Sequence, residues 1–184
     1  MNTAETKTAT LLNVKDGDTF KIAGIEFIKF PDRDGMTPVV ARNILFNSRF
    51  GNNNDLRASD VLKRLKEEVL PKICDAVGEE NVCAFQTDLA AWDGLKHYGV
   101  VEEMISLPTM DFYRANVAIF DKYPVKDWWW LATPDTMQPH GSPDWILCVS
   151  SRGNLLFYDD FFNHVFGVRP VLFFKSSIFG SSEE

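Results

Sequence analysis

The 184-residue sequence has no concentrated positive charge, few histidines and cysteines, and no long apolar run, and each absence removes a class of function. Its 19 lysines and arginines stand against 26 aspartates and glutamates, for a net charge of −7. No basic run exceeds a pair, so no nucleic acid partner and no anionic membrane surface is expected, since either calls for a clustered positive face. No window approaches the roughly 18 apolar residues of a membrane span, so no membrane insertion is expected. The polar, threonine-rich Met1 to Thr10 carries no signal-peptide pattern, and the chain reads as soluble. Cys74, Cys83 and Cys148 are an odd number in a chain large enough to fold without staples, and reduced, mainly buried thiols are expected. His97, His140 and His164 are too far apart to place two rings on one helix or strand face, so no metal is expected. Gly-x-Ser-x-Gly, a glycine-rich phosphate loop and Cys-x-x-Cys are all missing. A Cys83/His97 nucleophile and base would have to be assembled by folding alone, and Asp159 and Asp160, adjacent on a strand, point to opposite faces. No cofactor and no enzyme activity are expected.

What the sequence does contain suits one α+β domain over residues 11–175, with residues 1–10 as a flexible polar leader and 176–184 as a flexible polar tail. Hydrophobic residues make up 45%, ample for a core. Thr19–Ile22 and Ile25–Phe30 flank Ala23-Gly24 in the pattern of a β-hairpin. Asp16-Gly17-Asp18 reads as a turn, because the remaining ligand spacing of a calcium loop is missing. Val39–Phe46 is a further strand. The clearest helical pattern runs from Asp55 to Ala76, with Ser59 or Asp55 as cap, Leu62, Leu65 and Val69 on one face, and Gly78 as the stop. Pro71 is placed to kink it. A shorter helical stretch follows from Met110 to Phe120.

The informative region is Trp128 to Phe174. Trp128-Trp129-Trp130-Leu131 and Ile146–Val149 read as core, while Ala132 to Asp144, with its prolines and small polar residues, reads as a long exposed loop. From Leu155 to Phe166 neither parity of positions is cleanly apolar, so aromatic rings are left near solvent beside Asp, Asn and His. That composition suits a binding surface: rigid rings for contact area and short polar groups for hydrogen bonds. The candidate ligand-binding residues are Leu155, Phe157, Tyr158, Asp159, Asp160, Phe161, Phe162, Asn163, His164 and Phe166, flanked by Asp135, His140 and Asp144.

Three motifs add a resemblance. Trp129-Trp130-Leu131-Ala132-Thr133-Pro134, Cys148-Val149-Ser150-Ser151-Arg152-Gly153-Asn154 and Gly167-Val168-Arg169-Pro170-Val171-Leu172 resemble the C-terminal half of a bacterial and phage family related to C-type-lectin and formylglycine-generating-enzyme folds. The likeness extends back through Asp55-Leu56-Arg57 to Leu107-Pro108-Thr109. Several members are targets of diversity-generating retroelements, in which the segment between the last two motifs varies through randomised AAC codons. Such codons cannot yield Lys, Glu, Gln, Met or Trp, and residues 154–166 contain none of the five. These types fill 33 of 184 positions, so chance alone clears such a window about one time in thirteen. The absence gains weight by falling where the family varies. The resemblance implies a C-type-lectin-like fold and a receptor-recognition role in a phage, or surface display on a bacterium, against a host-surface protein or glycan. Ala132 stands where the family usually has arginine. Calcium-lectin signatures and the catalytic cysteines of formylglycine-generating enzymes have no counterpart.

Overall fold

The computed structural model describes residues 8–158 and 164–181. Strands dominate, with one long helix and two short ones, in an α+β arrangement.

The opening hairpin forms as its pattern dictates: Thr19–Ile22 pairs with Ile25–Lys29, and Ala23 and Gly24 both take positive φ (52° and 76°). A two-residue turn of that hand matches the twist of the strands it joins. Asp16-Gly17-Asp18 is a turn pinned by the end of the Ile25–Lys29 strand, with the Gly17 amide donating to Lys29 O and the Lys29 amide to Asp18 O. The Lys29 side chain is buried, and its Nζ lies 3.2 Å from Asp16 and 3.6 Å from Asp32 while donating to Val14 O. The ammonium thus holds the position beside Asp16 that a bound cation would need.

Among the described residues, eight strands form the larger sheet. Its order is Thr8–Thr10, Phe179–Ser181, Thr19–Ile22, Ile25–Lys29, Met36–Ala41, Val171–Lys175 and Val82–Cys83, with Ile105–Ser106 also pairing with Val171–Lys175. Two expectations need correction here. Of the supposed leader and tail, Thr8–Thr10 and Phe179–Ser181 pair with each other at Thr8↔Ser181 and Thr10↔Phe179, where Ile178 is buried and its carbonyl accepts from the Leu11 amide. The strand placed at Val39–Phe46 is two strands: Met36–Ala41 stays in the larger sheet, and after a break Phe46–Ser48 joins the smaller one, with the Leu45 amide donating to Val168 O.

The smaller sheet has the order Leu155–Tyr158, Ile146–Val149, Trp129–Pro134, Phe166–Val168 and Phe46–Ser48. Its neighbours are antiparallel except Trp129–Pro134 against Phe166–Val168. A separate ribbon pairs Phe85–Asp88 with Val100–Glu103.

Both sheets are covered on both faces, so the central strands read as unbroken apolar runs rather than alternating ones. Trp130, Ala132, Ile146, Cys148, Leu172 and Phe174 enter one core, whereas their neighbours Trp129, Leu131, Leu147, Val149, Val171 and Phe173 enter a second. The long helix seals the first core through Val61, Leu62, Leu65, Val69 and Ile73. Each such side chain stabilises the fold by about 1.5–3 kcal/mol on burial. Ser59 caps its start by accepting from the Leu62 amide, and Gly78, at φ 85°, ends it. The helix accommodates Pro71 by widening over Leu65–Val69, where the Leu70 amide reaches back five residues to Leu65 O. A proline has no amide hydrogen and crowds the preceding turn, and the wider turn relieves both. Met110–Ala115 and Val117–Phe120, divided at Asn116, seal the second core with Tyr113 and Phe120.

Candidate functional site

The resemblance motifs are largely buried in the strands and turns of the two sheets. Trp129 and Trp130 are fully buried, and the Trp130 indole donates to Ser48 O at 2.8 Å. Gly153 sits at φ 79°, which tightens the turn after Val149 and lets its carbonyl accept from the Tyr113 hydroxyl at 2.8 Å. Gly167 fits for a different reason: a side chain there would force the Ile44 side chain to move. Arg169 is 2% exposed, with its guanidinium over Trp129 and Phe120 at 4.8 and 5.4 Å and its Nε donating to Ala41 O. Burial pulls its pKa down to about 10, which still leaves it charged at neutral pH. Ala132 is fully buried in the first core, where an arginine would carry a charge into apolar surroundings.

Among the described residues Leu155–Tyr158 is an edge strand of the smaller sheet. Within it the residues alternate: Leu155 and Phe157, half-buried, pack against the second core, and Leu156 points the other way and is exposed. Tyr158 lies opposite Ile146 by its backbone. Its side chain, and Asp159, Asp160, Phe161, Phe162 and Asn163 entirely, lie outside the described residues. His164 is half-buried with its ring 5.9 Å from that of Phe166. Phe166 leans on the core, 4.6 Å from the Trp130 ring and 5.4 Å from that of Trp128. Leu155 and Phe166 therefore serve the scaffold as much as any surface.

The Asp135–Asp144 loop is less free than its composition suggests. Met137 is buried, and the wholly buried Asn54 staples the loop by donating from Nδ2 to Thr136 O and Trp145 O, at 2.8 and 2.9 Å. The Asn54 amide also donates to Pro143 O, and Tyr98 donates its hydroxyl to Asn54 Oδ1. Asp144 is half-buried and accepts from Ser142, while His140 is exposed.

A third segment, Ala91–Leu95, joins the two predicted ones, and the sequence reading missed it. Trp92 is 49% exposed, yet its ring meets Phe157 edge to face at 5.7 Å and carries Arg114 above it at 5.9 Å. Next to it, Asp93 accepts from Thr136 Oγ1 at 2.6 Å and lies 3.1 Å from His140 Nδ1. The Trp92 amide donates to Pro134 O. The only sequence signal was a tryptophan in a turn-rich, polar stretch.

These bonds set opposite electrostatics on two neighbouring carboxylates. The Thr136 hydrogen bond, outweighing burial and aided by the Leu95 amide and His140, lowers the pKa of Asp93. Burial, then the charge of Asp93, raises that of Asp135.

Reactive groups are scattered. Burial pushes the Cys148 thiol up to about 12, and burial also raises Cys74 and Cys83. Cys83 pairs with Phe173 in the larger sheet, and no hydrogen bond joins it to His97. Among the described residues no cluster of three or more His, Cys, Asp or Glu could hold a metal ion, and no helix is long and apolar enough to cross a membrane. Comparisons of the chain with family models, with curated proteins and with solved structures found no match.

Proposed function

We propose that this chain is a ligand-binding protein on a C-type-lectin-like scaffold, a target of a diversity-generating retroelement from a phage or bacterium, and not an enzyme. Its recognition surface runs from the edge strand Leu155–Tyr158 through residues 159–164, and continues across Trp92 to His140 and the Asp135–Asp144 loop. The observation that carries the reading is the bridge through Trp92 and Asp93. It brings the Leu155–Tyr158 strand and the Asp135–Asp144 loop into one neighbourhood, with an exposed tryptophan at the join. Exposed tryptophans ringed by short polar groups are where interfaces concentrate their binding energy. Solvent-facing positions on a rigid floor tolerate substitution, usually within about ±0.5 kcal/mol, as a diversified surface requires.

The nucleotide sequence gives the first test. Codons 155 to 166 ending mostly in C, with an adenine-bearing near-copy beside a reverse-transcriptase gene, are expected; ordinary codon usage and no such copy would remove the retroelement reading. The binding reading is tested separately by screening host-surface proteins and glycans. Trp92→Ser, Phe161→Ser and Phe162→Ser are then compared for affinity and melting temperature. At least one should weaken affinity by more than about 30-fold, equivalent to about 2 kcal/mol, with little change in melting. Full affinity in all three variants would move the site elsewhere.

A further inference from the structure

A cleft of about 430 Å³ opens between the Phe85–Asp88 strand, the Leu107–Phe112 segment and the strand Val171–Lys175, and reaches Ala90 and Ala91 beside Trp92. Its floor is apolar: Phe85 and Phe173 stack at 4.4 Å, each with a remaining exposed edge, and Leu107, Pro108 and Met110 complete the walls. The volume falls within the range of small-molecule sites, which combine apolar walls with a few polar groups that fix orientation.

Two charges at the mouth are unspent. Arg33 lies over the Phe112 ring at 5.8 Å and has no carboxylate partner among the described residues. Its neighbour Asp32 is committed to Lys29 and to the Thr37 hydroxyl, at 3.6 and 2.6 Å. Arg42, Arg49, Arg57 and Arg64 each hold a carboxylate within 2.9 Å, whereas Arg33 shares with Arg114 and Arg152 the lack of one among the described residues. Asp111 lines the same cleft beside Phe112, exposed and without an ion pair among the described residues, and it is not bridged to Arg33. Asp88, the other acid present, accepts from the Ala90 amide at 2.9 Å.

We infer that the cleft binds a free apolar α-amino acid, with its side chain against Phe85 and Phe173, its carboxylate on Arg33 and its ammonium on Asp111. A guanidinium takes a carboxylate in a planar two-point pair, and an ammonium suits a single carboxylate. A zwitterion at one carbon atom offers a partner to each of these charges beside an apolar floor. This inference is independent of the recognition surface proposed above.

The test is calorimetric titration of the full chain with L-phenylalanine, 3-phenylpropionate, phenethylamine and glycine. L-Phenylalanine should bind saturably, and each of the other three, lacking one anchor, at least about 10-fold more weakly. Arg33→Ala should weaken phenylalanine by a similar factor and leave phenethylamine unchanged. Asp111→Asn should weaken phenylalanine and leave phenylpropionate unchanged. Both side chains are exposed, so neither change disturbs a core. Ala115→Phe, at an exposed position lining the cleft, should abolish binding by filling it. No saturation by about 10 mM phenylalanine would overturn the inference, as would equal binding of all three phenyl compounds or indifference to Arg33→Ala.

Discussion

Asn54 concentrates more long-range bonding than any property of its type announces. Its side chain donates to two carbonyls 82 and 91 residues away and accepts from Tyr98, so it ties the Gly51–Asp55 turn to both ends of the flanking loop. Asn54→Ala removes three hydrogen bonds and leaves their partners unsatisfied at a buried position. At about 1 kcal/mol for each lost bond the variant should be destabilised by about 2–4 kcal/mol, measured by urea denaturation. Proteolysis between residues 135 and 144 should accelerate as well. A loss below about 0.5 kcal/mol would mean that water replaces these contacts without cost, and that the loop is not stapled.

At the scale of elements, local signals were legible and non-local ones were not. The hairpin at Ala23-Gly24, the Ser59 cap and the Gly78 stop depend on residues a few positions apart, and sequence pattern places them correctly. Trp129-Trp130-Leu131-Ala132 was legible as buried, but not which ring enters which core, because covering both faces erases the alternation that would tell them apart. The meeting of Trp92 with Phe157, and of Asp93 with Thr136 and His140, spans 43 to 65 residues and leaves no periodic trace. Those same loop contacts predict opposite pH responses. Asp93 has a lowered pKa in the folded chain, so its contribution is present above the unfolded value of about 3.9 and lost as pH falls through the lower folded value. Asp93→Asn should therefore destabilise near neutral pH, by under about 1 kcal/mol for this partly solvated group, and cost progressively less in acid. Asp135 has a raised pKa, so ionising it as pH rises above about 3.9 costs stability. Asp135→Asn should raise the urea midpoint near neutral pH and give no gain near pH 3. Destabilisation by Asp135→Asn at neutral pH would show that its carboxylate has a favourable partner instead.

For the whole molecule the decisive feature is that neither core belongs to one sheet. Trp129–Pro134, Ile146–Val149, Met36–Ala41 and Val171–Lys175 each send alternate residues into both, so neither core can open without withdrawing side chains from strands that also build the other. The two ends of the described chain, Thr8–Thr10 and Phe179–Ser181, pair with each other at one edge of the larger sheet. Such sharing favours a single cooperative transition over stepwise loss of layers. Tryptophan fluorescence and far-ultraviolet circular dichroism should then give coincident denaturation curves for the parent chain. Trp130→Ala empties a position in the first core and Trp129→Ala one in the second. Each should shift the whole transition by about 3–5 kcal/mol, since the surrounding strands are held on both faces and collapse poorly into the space. The informative comparison is shape rather than midpoint. A Trp129→Ala curve that splits, with the Tyr113 and Phe120 helices melting before the sheets, would mean that the second core is a separable unit and that the floor beneath the recognition surface is softer than the shared strands imply.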